Sequence, residues 1–324
     1  MNMTMAQALN QALAQEMEKD PRVLILGEDV GVNGGVFRIT EGLFDRFGPE
    51  RVVDTPLAES GIVGVSIGLA AFGFRPVVEI QFLGFIYPDF NQIVSHLSRL
   101  RNRTRGRFTV PLVIRTPYGA GMKALEHHDE SSEALFCHIP GLTVVAPSTP
   151  SDAKGLLIAS IRREDPVLFL EPAKLYRAEK QDVPEGPFEV PIGKARLVRE
   201  GKDLTLVAWG AMIPVAAEAA RRAEAQGVSA EIVDLRTLAP LDRSAVLESV
   251  NKTGRAVIVH EAPRTCGLGA EIAALVGESA LLSLKAPVQR VTGPDTIIPL
   301  SKSEDTYYVS PERVLRAITR VMEF

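Results

Sequence analysis

Short runs of β-branched and aliphatic residues alternate along the chain with stretches whose apolar positions recur every three or four residues. The N-terminal stretch is of the second kind. Met5, Leu9, Leu13 and Met17 fall on one face of a predicted helix, with Thr4 placed to cap it. Strands are then predicted at Val23–Leu26, Arg51–Asp54, Pro76–Phe82, Pro111–Arg115, Thr143–Ala146 and Val167–Leu170, the fourth halted by Thr116-Pro117. Between them the pattern predicts helices over Glu59–Phe74 and Asp89–Leu100, and a Ser151-capped helix running to Arg163. Apolar strands separated by helix-length segments imply a parallel sheet covered on both faces.

Residues 178–193, AEKQDVPEGPFEVPIG, break this rhythm with three prolines, two glycines and many charges. Beyond them the alternation restarts. Strands are predicted at Leu204–Ala208, Glu231–Asp234, Ala256–Val259 and Val288–Val291, with helices over Ala216–Gln226, Asp242–Thr253, Gly269–Glu278 and Pro311–Met322. The expectation is an α/β protein: a parallel-sheet domain over residues 1–185, then a smaller α/β domain of about five strands over residues 186–324.

Composition narrows the function. The chain has 324 residues, 36 Lys+Arg against 40 Asp+Glu, and 46% hydrophobic residues, so disorder is excluded and a large core is available. Its slight acidity argues against nucleic acid as a partner. The most apolar uncharged stretch, Ser60 to Phe74, contains Gly61, Gly64, Gly68 and Gly73 and is too short to span a bilayer. The N-terminus lacks the basic and apolar blocks of a leader, and Cys137 and Cys266 have no framework or metal spacing. A cytoplasmic protein with no membrane contact is expected.

In open α/β sheets, ligands bind beyond the carboxyl ends of the strands. There the chain places Glu28 and Asp29, then Asp54 to Gly61 with Leu57 and Glu59, then Gln81 and Phe85. A long loop from Tyr118 to Ser132 adds His127-His128-Asp129-Glu130. Other readings are weaker. Gly267-Leu268-Gly269 resembles the start of a dinucleotide motif, but Ile272 stands at its third glycine. Adjacent histidines lack the spacing of a metal-ligand set, and no metal is expected on this chain. The alternating Arg99, Arg101, Arg103, Arg105 and Arg107 read as a solvated or subunit-contact segment.

GEDVGVNGGVFRITEGL, DTPLAESGIVGVSIGLAAFG, EIQFLGFIYPDFNQIVSHLSRLR, PGLTVVAPSTPSDAKGLL and DPVLFLEPAKLYR resemble the β subunit of thiamine-diphosphate-dependent 2-oxo acid dehydrogenases, from the pyruvate and branched-chain complexes. The likeness continues through VDLRTLAPLD, VHEAP and RVTGPDT. It implies a transketolase-like fold, a pyrimidine-binding domain followed by a smaller C-terminal domain. It also implies thiamine diphosphate shared with an α subunit in an α2β2 heterotetramer. The α subunit would hold the diphosphate and Mg²⁺, and its GDG motif occurs nowhere here.

By the same resemblance Glu59 activates the cofactor: a carboxyl group bonded to the pyrimidine nitrogen favours the tautomer that takes up the thiazolium proton. Phe85 packs on the pyrimidine, Gln81 and Leu57 line its pocket, and Glu28 and Asp29 lie near the cofactor edge, with either one the contacting acid. His128 is the active-site histidine, with His127 the competing position. The implied reaction is decarboxylation of a 2-oxo acid and transfer of the acyl group to the lipoyl arm of a dihydrolipoyl acyltransferase. Pyruvate is favoured over branched-chain acids and acetoin-type substrates. A non-catalytic scaffold subunit is the rival from another class. Some relatives hold potassium near Val110–Ile114 and Ser160–Asp165; with Arg163 at one ligand position, it is not counted among the expected ions.

Overall fold

The aliphatic runs become the interior of a seven-stranded sheet in the computed structural model, which describes residues 1–324. In chain order the strands are β1 (Asn2–Met3), β2 (Val23–Gly27), β3 (Val52–Asp54), β4 (Arg75–Glu79), β5 (Val113–Tyr118), β6 (Thr143–Val145) and β7 (Val167–Pro172). There follow β8 (Gln181–Asp182), β9 (Arg196–Arg199), β10 (Leu204–Ala208), β11 (Ala230–Asp234), β12 (Thr237–Ala239), β13 (Ala256–Pro263) and β14 (Gln289–Gly293). The large sheet has the order β12-β6-β7-β5-β4-β2-β3, and a second sheet the order β14-β13-β10-β11-β9. Both are parallel except at β12 and β9, which run antiparallel to their neighbours. β1 and β8 form a separate antiparallel pair that ties part of the 178–193 segment to the N-terminus.

Helices cover the faces because their apolar stripes need burial. Met5–Lys19 forms as its spacing predicts, with a Thr4/Gln7 capping box, and buries Met5, Leu9, Leu13 and Met17. It packs on Pro150–Arg162. That helix is capped by Thr149, which accepts from the Asp152 N–H, and not by the predicted Ser151; Pro150 occupies the first turn, where its missing N–H costs nothing.

Three other expectations change. The predicted Asp89–Leu100 helix is broken into a 3-10 stretch (Leu83–Asp89), Phe90–Ser95 and shorter turns. The Ser95 carbonyl is taken by the Arg103 guanidinium at 2.7 Å, so the chain turns at His96. Strand β5 is not halted by Thr116-Pro117: it runs on to Tyr118, paired there only with β7, so the proline removes no bond on its other side. The predicted Ala216–Gln226 helix begins earlier, at Met212, with Pro214 among the first-turn positions whose N–H groups lack helical partners.

The two halves share one core. An apolar cluster of 36 buried residues runs from Leu24, Val78 and Ile114 on the large sheet to Val207, Trp209 and Ile258 on the second. β12, from the second half, closes one edge of the first sheet. At the centre of the large sheet Arg115 is 1% exposed, and its guanidinium bonds Glu79 of β4 at 2.9 Å and Glu171 of β7 at 2.7 and 2.9 Å. The Tyr176 hydroxyl completes the group by donating to Glu171.

Removing a buried cation leaves two buried carboxylates unpaired. Arg115→Met is expected to destabilise the protein by about 3–5 kcal/mol, read as a fall in thermal midpoint. A midpoint unchanged within error would show that this ion group does not hold the sheet.

Candidate functional site

The strand ends of the large sheet carry the site residues predicted from sequence. After β2 the chain turns at Glu28 and Asp29, and the turn is pinned by the Gly31 N–H on the Asp54 carboxylate at 2.6 Å. Glu28 is 8% exposed. Asp29 is exposed, with a positive φ of 56°, and its carboxylate accepts from Asn33 within its own loop. Beyond β3, Leu57 stands 80% exposed and Glu59 opens the helix Glu59–Ala71. Ala58 provides no side-chain cap; the Gly61 and Ile62 N–H groups bond the Ala58 carbonyl at 2.8 and 3.0 Å.

Three carboxylates lie here within range of one another's charges, without forming a cluster. Burial, then the charges of Glu59 and Asp29, push the Glu28 carboxyl up. Asp89, which sequence reasoning missed, is fully buried with neither oxygen hydrogen-bonded. Its carboxyl is pushed up to about 7, by burial first and then by the charges of Glu59 and Glu28. Asp89 was hidden because its place after Pro88 reads as the capped start of a surface helix.

The other half of the site is aromatic. After β4 comes the half-buried Gln81, then Phe82 and Phe85. The His128 ring packs edge-on against Phe82 (4.5 Å between centroids) and Phe85 (5.2 Å). His128 Nδ1 lies 3.2 Å from the Leu125 carbonyl. That contact is a hydrogen bond when Nδ1 carries the proton, which leaves Nε2 as the free nitrogen of the neutral ring. His127 is exposed and nearer Tyr87, at 6.3 Å. Its backbone carbonyl lies where a Cβ on Gly84 would be, 2.1 Å away, so only glycine there lets the histidine loop approach. The structure thus packs His128 against Phe85 and places Glu28 within range of the Glu59 charge, while the Asp29 carboxylate bonds within its own loop and Leu57 stands out to solvent.

Behind the histidine loop lies a second buried polar group that sequence reasoning also missed. Burial pushes Glu133 up to about 8 and Glu261 up to about 7, and pulls the His260 imidazole down to about 4. His260 stacks on Trp209 with centroids 5.3 Å apart. Near the segments linked by resemblance to potassium, the Arg75 guanidinium, not that of Arg163, donates to the carbonyls of Ile161 and Arg163 at 2.9 and 3.1 Å. No group of three His, Cys, Asp or Glu side chains is arranged to hold a metal. No helix is long and apolar enough to cross a membrane.

A parallel sheet with acids and an imidazole loop at its carboxyl edge, joined to a second α/β unit, is a transketolase-type architecture. Residues 1–179 match the family model for the transketolase pyrimidine binding domain, and residues 193–314 that for the transketolase C-terminal domain. A solved split-gene transketolase, an inactive β4 tetramer, superposes with a TM-score of 0.82 at 24% identity, over 100% of this chain and 99% of that one. A transketolase from Pichia stipitis gives 0.70 at 14% identity, over 99% of this chain and 46% of that one.

Sequence relatives are closer. The pyruvate dehydrogenase E1 component subunit beta of Acholeplasma laidlawii is 50% identical over 98% of this chain and 97% of its own length. Its counterpart in Bacillus subtilis is 50% identical over 99% of both. The chain belongs to the family of pyruvate dehydrogenase E1 component β subunits.

Asp89 gives the site a pH signature. Its folded pKa, about 7, lies above the ordinary value of 3.8. The stability that its protonation allows is therefore full below about pH 4 and declines as pH rises through 7. Asp89→Asn is expected to flatten the loss of thermal stability between pH 5 and 8. Equal slopes in the two proteins would contradict this.

Proposed function

We propose that this chain is the β half of an enzyme that decarboxylates pyruvate on thiamine diphosphate and passes the acyl group to the lipoyl arm of a dihydrolipoyl acyltransferase. The observation that carries the reading is the placement of Glu59 at the helix start beyond β3, with Glu28 after β2 and the buried Asp89 within range of its charge. In a family of this activity, that is where a carboxyl group would meet a pyrimidine. The residues suit half a cofactor. An acidic edge and the Phe85 face fit an aminopyrimidine, whereas this face offers no carboxylate cluster arranged for Mg²⁺.

Thiamine diphosphate, when bound, supplies a carbon nucleophile and an electron sink. The Glu59 carboxyl group would bond the pyrimidine nitrogen, with the buried Asp89 and Glu28 behind it. Phe85 offers a flat apolar face whose stacking contributes about 0.5–1.5 kcal/mol beyond burial. Gln81 and Glu28 line the rest of the pocket on this chain, and Leu57 and Asp29 stand at its open edge, where a partner chain would close over them. His128 moves protons or stabilises charge through Nε2 while the acyl group is transferred.

An α subunit holds the diphosphate and its Mg²⁺ across the open face. Apolar residues stand uncovered from Leu57 (80%), beside Glu59, to Val65 (60%) and Phe72 (84%) along and just past its helix, the last two seven residues apart. The assembly is read as an α2β2 heterotetramer that docks on the acyltransferase core. Two further parts of the proposal are the domain boundary at residues 185/186 and a cytoplasmic location, which suits the free Cys137 and Cys266. Potassium has no part in it.

The test is co-expression with the α partner and assay over pyruvate, branched-chain 2-oxo acids and acetoin. Pyruvate should be turned over fastest, in a thiamine-diphosphate-dependent manner. Glu59→Gln should fold, assemble and lose most decarboxylation. His128→Ala should slow acyl transfer by roughly 10²–10⁴-fold, with His127→Ala close to normal. Near-normal turnover by Glu59→Gln would sink the assignment, the reverse histidine result would exchange His128 for His127, and an assembled, cofactor-loaded but inert complex would favour a scaffold.

A further inference from the structure

The loop that carries His128 is held from outside its own domain. It leaves β5 at Tyr118 and turns at Gly119, where φ is +92° and a Cβ would lie 2.6 Å from Glu261 Oε1. Glycine alone lets the carboxylate come so close to the backbone. The Ala120 N–H donates to Glu261 Oε2 at 3.2 Å, and the Gly121 N–H donates to Glu304 Oε1 at 2.8 Å. Glu261 comes from β13 and Glu304 from the 3-10 turn Glu304–Thr306, both in the second half of the chain.

Both acids are buried, at 6% and 0% exposure. The Tyr308 hydroxyl donates to Glu304, and Lys174 Nζ sits 3.7 Å over the Tyr308 ring. Carboxylates accepting from backbone N–H groups away from water make strong, directional bonds. The loop then closes on itself. The Met122 N–H donates to Asp129 at 3.0 Å, and the Gly119 N–H to the Glu130 carbonyl at 3.0 Å. Asp129 and Glu130 directly follow His128, so the same first turn that Glu261 and Glu304 hold also fixes the residues beside the imidazole. The exposed Lys123–Asp305 pair adds little.

We propose that Glu261 and Glu304 are positioning residues for His128, fastening the Gly119–Met122 turn to the second domain so that the imidazole is held against Phe82 and Phe85. The proposal rests on the reading of His128 as the acyl-transfer imidazole. Neither carboxylate touches the imidazole; they act through the backbone of the loop.

The experiment uses the complex reconstituted with the α partner and a lipoyl-bearing acceptor. Displacing a catalytic group by about 1 Å can cost 10²-fold, so Glu261→Ala is expected to slow lipoyl acylation at saturation by about 10–10²-fold. Dye-coupled decarboxylation should fall much less. Glu261→Gln keeps an oxygen for the Ala120 N–H and should restore most of the rate. Hydrogen exchange over residues 119–130 should speed up in Glu261→Ala and in Glu304→Ala, the second variant serving also if the first fails to assemble. In a double-mutant cycle Glu261→Ala should add nothing to His128→Ala.

Losses that multiply in the double mutant would overturn the proposal, as would equal losses in both half-reactions. A large His128→Ala loss beside normal Glu261→Ala and Glu304→Ala rates, with unchanged exchange, would overturn it alone. Normal acyl transfer by His128→Ala would overturn the reading of His128 and this proposal with it.

Discussion

One buried cation between two buried carboxylates organises the large sheet. Arg115 on β5 bonds Glu79 on β4 and Glu171 on β7, so three adjacent strands are joined by side chains as well as by their ladders. Burial pushes the Glu79 carboxyl up, even against the opposing Arg115 charge. Such groups are poor sources of net stability, because desolvation offsets most of the attraction. Their value lies in register. A one-residue slip of β5 would turn Arg115 to the opposite face, where it meets no acid. The strand ends that present Gln81 and Tyr118 are thereby set at fixed heights.

From that frame the site follows in two parts. An acidic side forms where β2 and β3 end and the Glu59 helix begins, with Asp89 buried behind it. An aromatic side forms where β4 ends, at Phe82 and Phe85, and receives His128 from the loop after β5. The second domain reaches this side through Glu261 and Glu304, and shares one core with the first. The surface in front is open and partly apolar, as suits a site completed by another chain.

The sheet was largely legible in the sequence because central parallel strands are continuous aliphatic runs. The edge strands were not. Arg196–Arg199 is half polar and exposed, and Thr237–Ala239 gains its strand character only from pairing with the distant Val144 and Val145. Helix breaks at His96 and the extension of β5 past Pro117 likewise depend on partners far along the chain. For the site, motif positions brought out Glu59, Phe85 and His128, whereas Asp89, Glu133 and Glu261 stayed hidden. Their importance comes from burial that only the fold creates, and nothing local separates a buried acid after Pro88 from a helix cap. The contacts of the His128 ring with Phe82 and Phe85 likewise depend on the fold and have no local signal in the sequence.

On the proposed function, these two domains hold half of a cofactor site. Calorimetric titration of thiamine diphosphate with Mg²⁺ tests it most directly, first into this chain alone and then into the chain assembled with its α partner. No saturable binding to the chain alone is expected, and stoichiometric binding, one cofactor per αβ pair, in the assembly. Tight, stoichiometric, Mg²⁺-dependent binding to the isolated chain would contradict it.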